Sequence, residues 1–168
     1  MPTAATSLDG TLSSHAPADT RAIGRALGEA AAPGALVALI GPLGAGKTQL
    51  TKGIAEGLGV SGVVNSPTFV LMNEHPGRLR LFHVDAYRLE GPDEAFAAGL
   101  LDDRAADGVT VVEWADRLAG WLPDERLDVT VEPDGAGADE RRITWHATGD
   151  EHVALAAAAL GARRAADR

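Results

Sequence analysis

Apolar and polar positions follow two rhythms along this chain. Residues 36–40 (Leu-Val-Ala-Leu-Ile) and 109–113 (Val-Thr-Val-Val-Glu) are short, nearly continuous apolar runs of strand length. Such runs are expected of strands buried on both faces. Residues 68–73 and 79–85 also read as strands, with Pro76-Gly77 as the turn between them. Residues 127–132 and 142–148 alternate with period two around the polar stretch 133–139, which predicts a late antiparallel hairpin. Helical spacing marks 17–32, where Ile23 and Leu27 stand one turn apart and Pro33-Gly34 stops the run. Further helices are predicted at 47–58, closed by Gly59, at 94–101 behind Gly91-Pro92, and at 151–164. Residues 1–16 are small and polar, with one short edge strand expected at 7–12. Strands alternating with helices predict an α/β fold with a largely parallel sheet.

Composition narrows the class. A chain of 168 residues predicts one domain spanning 1–168, with residues 1–16 and 165–168 expected to be flexible. Cysteine is absent, which removes disulfides, thiolate catalysis and Cys-based zinc sites and fits a reducing compartment. No basic segment followed by an apolar run opens the chain, and no stretch approaches the ~18 apolar residues of a membrane span. A cytoplasmic protein with no membrane partner is therefore expected. The net charge of −9, with Arg141-Arg142 and Arg163-Arg164 as the only adjacent basic pairs, argues against direct binding of DNA or RNA. Only two lysines are present, Lys47 and Lys52, so a lysine in a motif carries weight.

Lys47 stands in such a motif. Gly41-Pro42-Leu43-Gly44-Ala45-Gly46-Lys47-Thr48 satisfies G-x-x-x-x-G-K-S/T, and in this composition a chance match is on the order of 1 in 400. Glycines let successive N–H groups turn inward on a phosphate, and the helix that follows offers its N-terminal N–H groups and dipole to the anion. Lys47 then reaches the β- and γ-phosphates, and the Thr48 hydroxyl is a natural Mg²⁺ ligand. Gly41, Leu43, Gly44, Ala45 and Gly46, with Lys47 and Thr48, are thus the candidate nucleotide contacts. A guanine-reading N-K-x-D element is absent, since the only later lysine lies in Thr51-Lys52-Gly53, and ATP is favoured over GTP.

Such a site needs a carboxylate for Mg²⁺ and a group to orient water. Two predicted strands end in acids, Asp85 and Glu113, and parallel strands bring their carboxyl ends together beside the loop. Each acid is also readable as a solvated strand end or a helix cap. Thr68, in Ser66-Pro67-Thr68-Phe69, is placed either to contact the γ-phosphate or to serve a proline turn. His83 shares a strand face with Asp85 and is read first as a packed side chain. Trp114 reads as a stacking aromatic or as core, Arg141 as a phosphate contact or an exposed strand arginine, and Thr20 as a helix-end support or a nucleotide contact.

Taken in order, the loop 41–48, Ser66-Pro-Thr-Phe69, His83-Val-Asp-Ala-Tyr-Arg-Leu89, Glu113-Trp114 and Leu122-Pro123 resemble the TsaE (formerly YjeE) family over about residues 20–143. The resemblance implies a three-layer P-loop NTPase-like fold whose parallel sheet is flanked by antiparallel strands. It further implies Mg²⁺-dependent ATP hydrolysis in support of a TsaB–TsaD complex, which places threonylcarbamoyl on adenosine 37 of tRNAs reading ANN codons. tRNA contact is then left to the partners. By the same resemblance Thr48 and Glu113 look like Mg²⁺ ligands and Asp85 like the acid of hydrolysis, with the two acids not firmly separated. Ser66 and Thr68 match a switch-like segment, and Trp114 an aromatic beside the nucleotide. Pro42 departs from the Asp usual in the family's loop, and His75 from a common Tyr. Beside this reading stand two others, a P-loop small-molecule kinase and a non-hydrolysing nucleotide sensor. The kinase is disfavoured because residues 59–65 hold no arginine for a lid.

Overall fold

The computed structural model describes residues 6–67, 72–90, 93, 106–118, 120–135 and 137–166. Seven strands form one mixed sheet: β1 Ser7–Ser14, β2 Leu36–Ile40, β3 Met72–His75, β4 Leu81–Asp85, β5 Val109–Glu113, β6 Leu127–Pro133 and β7 Arg141–Thr148. The spatial order is β1-β7-β6-β2-β5-β4-β3. The centre, β6-β2-β5-β4, is parallel throughout. The outer pairs β1–β7, β7–β6 and β4–β3 are antiparallel. The sheet is therefore parallel only in its four central strands, and the late hairpin predicted from period-two alternation is β6–β7. The edge strand expected at 7–12 runs on to Ser14, because β7 offers it partners as far as Arg141.

Helix α1 (Pro17–Ala30) starts with proline in its first turn. It ends two residues before the predicted stop, since the residue preceding a proline avoids the helical region and Ala31 is already extended at ψ 141°. Helix α2 (Lys47–Gly57) and helix α3 (Asp150–Ala166) complete the regular structure described. The helix predicted at 94–101 and the first residues of the strand predicted at 68–73 lie outside the described residues.

The apolar strand residues divide cleanly by face. Val37, Leu39, Val109, Val111, Val129 and Trp145 pack with Ile23, Leu27, Leu50, Ile54 and Ala156 of the three helices. Leu36, Ala38, Val84 and Val112 point the other way, onto Ala86, Leu89, Leu118 and Leu122. Among the described residues, the expected third layer is thus not made of α-helices. The opposite face is covered by loop and by the short 3-10 helix Ala115–Leu118. No helix among the described residues is long and apolar enough to cross a membrane.

What fixes α2 under the sheet is its contact with α1. Gly24 and Gly28 on α1 face Gly53 and Gly57 on α2, and the four-residue spacing sets each pair on one side of its helix. A Cβ on Gly53 would sit 2.1 Å from the Arg21 carbonyl oxygen, and one on Gly24 2.3 Å from that of Leu50. The two backbones meet directly, with no room for any side chain. Arg21 and Arg25 then close the seam by sharing the Glu56 carboxylate across the helix pair.

A second tie holds the strand that leads into the site. The Leu36 N–H precedes the β2–β6 ladder, which begins at Val37 opposite Leu127. His152 of α3 supplies the missing acceptor, its Nε2 at 3.0 Å. An accepting Nε2 requires a neutral ring, and burial of His152 lowers its pKa below the ordinary value, against weak opposition from Glu151 and Glu125.

Two outcomes are expected. Gly53→Ala lowers stability by about 2 kcal/mol or more through overpacking, despite the ~1 kcal/mol helix preference for alanine. Gly161→Ala, whose Cβ meets nothing within 4 Å, raises it by about 0.5–1 kcal/mol. Urea denaturation of both variants checks this, and equal midpoints for the two would refute it. As for pH, below about 6.5 the unfolded chain takes a proton on residue 152 that the native state refuses, so stability falls as pH drops toward the lowered native value. Melts from pH 7.5 to 5 show this slope in the native sequence, and His152→Leu removes its share of it.

Candidate functional site

β2, β4 and β5 run parallel, so Ile40, Asp85 and Glu113 finish at the same edge of the sheet, with Asp85 directly opposite Glu113 in register. The glycine loop leaves β2 at that edge and enters α2. Gly46, the residue before the helix, has φ 109°, a left-handed conformation that suits glycine, and no side chain caps the helix N-terminus. Gly41 lies so close to β6 that a Cβ would stand 2.3 Å from the Val131 carbonyl oxygen. Pro42 removes a donor from the loop, yet its carbonyl accepts the Ala45 N–H at 3.1 Å and keeps the turn closed. The loop, Asp85 and Glu113 bound one cleft of about 420 Å³.

Lys47 is 5% exposed and folds back over its own loop. Its Nζ donates to the carbonyls of Gly41 and Pro42 at 2.7 and 2.8 Å. The ammonium lies 4.0 Å from the centre of the Trp114 ring. Burial lowers the Lys47 pKa, and the carboxylates of Glu113, Asp116 and Asp85 pull it back upward. Among the described residues Trp114 is the one non-glycine with positive φ, at 58°. A bulky residue in that region costs on the order of 1–3 kcal/mol, and it is held there by neighbours. The Tyr87 ring packs 4.8 Å from it at 47°, and the Arg117 guanidinium lies over Tyr87 at 5.3 Å.

Glu113 is the centre of the polar cluster. It is 2% exposed, and its Oε1 accepts the Thr48 hydroxyl at 3.0 Å. The Ser66 hydroxyl is 2.9 Å from Thr48 Oγ1 and donates to Glu113 Oε2 at 3.3 Å. His83, fully buried, hydrogen-bonds the same Oε2 through Nε2. Asp85 stands at the cleft wall with Oδ1 accepting the Tyr87 N–H at 2.9 Å. Burial raises the Asp85 pKa, the Tyr87 N–H works against that rise, and nearby Glu113 adds to it. Hydroxyls and carboxylates are the hard oxygen donors that Mg²⁺ selects, and Mg²⁺ asks for only one or two of them beside water and phosphate oxygens. The donor set of Thr48, Ser66 and Glu113 fits that ion. No cluster of three His, Asp or Glu side chains suited to a metal occurs among the described residues, so an all-protein cage is not offered.

Arg141 lies on the far side of the loop. Its Nε donates to the Ala45 carbonyl at 2.8 Å and its Nη1 to those of Ala138 and Glu140, with a long 3.4 Å reach from Nη2 to Gly44. It braces the loop through backbone carbonyls instead of hanging exposed from a strand. Thr20 is buried at the start of α1, its hydroxyl 2.8 Å from that of Ser14, and with Arg141 and Gly46 it lines a second hollow of about 110 Å³. Thr68 lies outside the described residues.

The structure thus gathers Lys47, Thr48, Asp85, Glu113 and Trp114 around one cleft, with Leu43, Gly44, Ala45 and Gly46 as its floor and rim. Two features exceed the sequence reading. His83 is packed, as first read, but is also bonded to a site carboxylate. Lys47 and Trp114 touch, which neither residue's neighbours in sequence announce.

The profile of the family described as "Threonylcarbamoyl adenosine biosynthesis protein TsaE" matches residues 14–143. A Bacillus subtilis protein named "tRNA threonylcarbamoyladenosine biosynthesis protein TsaE" is 45% identical over 140 residues, which cover 83% of this chain and 86% of that one. A Streptomyces coelicolor protein of the same name is 44% identical over 135 residues, covering 77% and 91%. Among solved structures, Bacillus subtilis YdiB superposes with a TM-score of 0.75 at 37% identity, over 92% of this chain and 95% of that one. A profile covering most of the chain, with relatives this similar over nearly their whole length, leaves one conclusion: the chain belongs to the TsaE family of tRNA threonylcarbamoyladenosine biosynthesis proteins.

Proposed function

We propose that this protein is a P-loop ATPase that binds Mg²⁺-ATP in the cleft and hydrolyses it in support of threonylcarbamoyl transfer to adenosine 37 of tRNA by a TsaB–TsaD complex. The observation that carries this reading is the convergence of the glycine loop, Lys47, Thr48 and two strand-end carboxylates on one cleft. The triphosphate runs along the loop, where the uncapped N-terminus of α2 and the loop amides meet its charge. The smaller hollow beside Thr20 and Arg141 shares Gly44, Ala45 and Gly46 with the cleft and continues it along the loop.

The side chains divide the work. Lys47 exchanges the Gly41 and Pro42 carbonyls that now hold its ammonium for phosphate oxygens. Thr48 and Glu113 would hold Mg²⁺, which when bound would supply positive charge to offset that of the phosphates. Asp85, across the register from Glu113, serves the attacking water. Trp114 and Tyr87 close the side of the cleft above Lys47. Tyr87 is about half exposed, and with Trp114 it forms the face offered to the partners. tRNA is reached through those partners, consistent with the net charge of −9.

The test is the ATPase rate of the protein alone and with TsaB and TsaD. The isolated protein binds ATP and turns it over slowly, because no arginine among the described residues extends into the cleft as a charge-stabilising finger. Adding the pair raises turnover by at least ~10-fold, well below the ~10³–10⁵ that an arginine supplied in trans can contribute. Lys47→Ala abolishes turnover in both settings while the circular dichroism stays native, and Trp114→Ala loses most of the stimulation. Full activity alone, unchanged by the pair, refutes partner gating. Native turnover in Lys47→Ala refutes the nucleotide site.

A further inference from the structure

We infer that His83 is a positioning residue, which presets the Glu113 carboxylate for Mg²⁺. This rests on the reading above that Glu113 and Thr48 hold the metal. The position is unusual for a histidine. Its neighbours in the sheet, Leu81 two residues back on β4 and Val111 opposite on β5, are core residues, and the ring itself is 0% exposed. An aliphatic side chain meets that environment at no polar cost, whereas a buried imidazole must find a partner. It finds Glu113, diagonal to it across the β4–β5 ladder, since Asp85 is the residue opposite Glu113. In the ionised form that a Mg²⁺ ligand takes, Glu113 can only accept, and His83 Nε2 then donates the shared proton. The other ring nitrogen, Nδ1, has no partner among the described residues, which leaves the bond to Glu113 as the ring's polar anchor there.

The consequence is a carboxylate with assigned oxygens. His83 and Ser66 hold Oε2, and Oε1 is turned toward Thr48. Without the imidazole, the Thr48 and Ser66 hydroxyls are left to hold the carboxylate among the described residues, and more of its ordering falls to the metal on binding. Partners behind a metal ligand typically account for 10–100-fold in metal affinity. His83 touches neither nucleotide nor metal in this scheme; it acts through Glu113.

The test is Mn²⁺ binding, followed by electron paramagnetic resonance in the presence of ADP, alongside Mg²⁺ titration of turnover and ADP binding without metal. Variants are His83→Leu, His83→Gln and Glu113→Gln. His83→Leu raises the half-saturating metal concentration about 10- to 100-fold and leaves metal-free ADP affinity unchanged. His83→Gln, whose amide N–H can take the place of Nε2–H, recovers most of the loss. In a Glu113→Gln background, His83→Leu adds nothing further. Where His83→Leu does not fold, His83→Asn replaces it: its amide is too short to reach Glu113, and it shows the same weakened metal binding. Native half-saturation in the folded His83→Leu or His83→Asn variant overturns the inference, as does a His83→Gln variant impaired equally with them. Native metal binding in Glu113→Gln refutes the metal assignment itself, and the inference falls with it.

Discussion

A buried carboxylate organises this molecule. Removing Glu113 from water carries a desolvation penalty of several kcal/mol unless donors surround it. Thr48 and His83 both hydrogen-bond it, and Ser66 adds a longer contact. Charge-assisted hydrogen bonds contribute about 1.5–3 kcal/mol each, enough together to hold the acid inside. The three donors come from α2, from the segment ahead of β3 and from β4. Misplacing any of those elements strands the charge, so the acid makes the fold answerable for the site.

That demand explains why α2 is fixed so rigidly. Thr48 reaches Glu113 only if the first turn of α2 sits at one height above β5. The glycine faces of α1 and α2 supply that height by bringing backbone onto backbone, where a methyl group already collides. Leucine pairs would tolerate several depths of packing, but carbonyl against Cα has one. On the other side, His152 of α3 ties the start of β2. Loop and helix are therefore held at both ends: β2 by α3, α2 by α1, and the loop between them by Arg141.

Much of this was written locally in the sequence and some was not. The loop Gly41–Thr48, the strand-end acids and the late hairpin depend on residues within a few positions of one another, and the pattern of types was enough to read them. The glycines at 24, 28, 53 and 57 were equally visible, but glycine in a helix announces nothing until a second helix is known to face it. The His83–Glu113 bond spans thirty residues and depends on which strands are neighbours and in which register. Face-to-face packing likewise decided the layers. A continuous apolar run shows that a strand has two buried faces but not whether a helix or a loop covers each.

Lys47 shows how contacts within the protein bear on the charge at the cleft. The Lys47 ammonium has two backbone acceptors, a ring at 4.0 Å and three carboxylates nearby that favour its charge, against a burial that disfavours it. Any anion that draws the ammonium away must compete with that arrangement and gains only the difference. The competitor is not relaxed, however, because Trp114 holds a left-handed backbone that a tryptophan takes only under constraint. Tyr87 and Arg117 supply part of that constraint from the outer side of the ring. Whatever presses on Tyr87 from outside bears on Trp114, and Trp114 bears on Lys47. This geometry links the half-exposed Tyr87 ring to the Lys47 ammonium by two successive contacts, through Trp114.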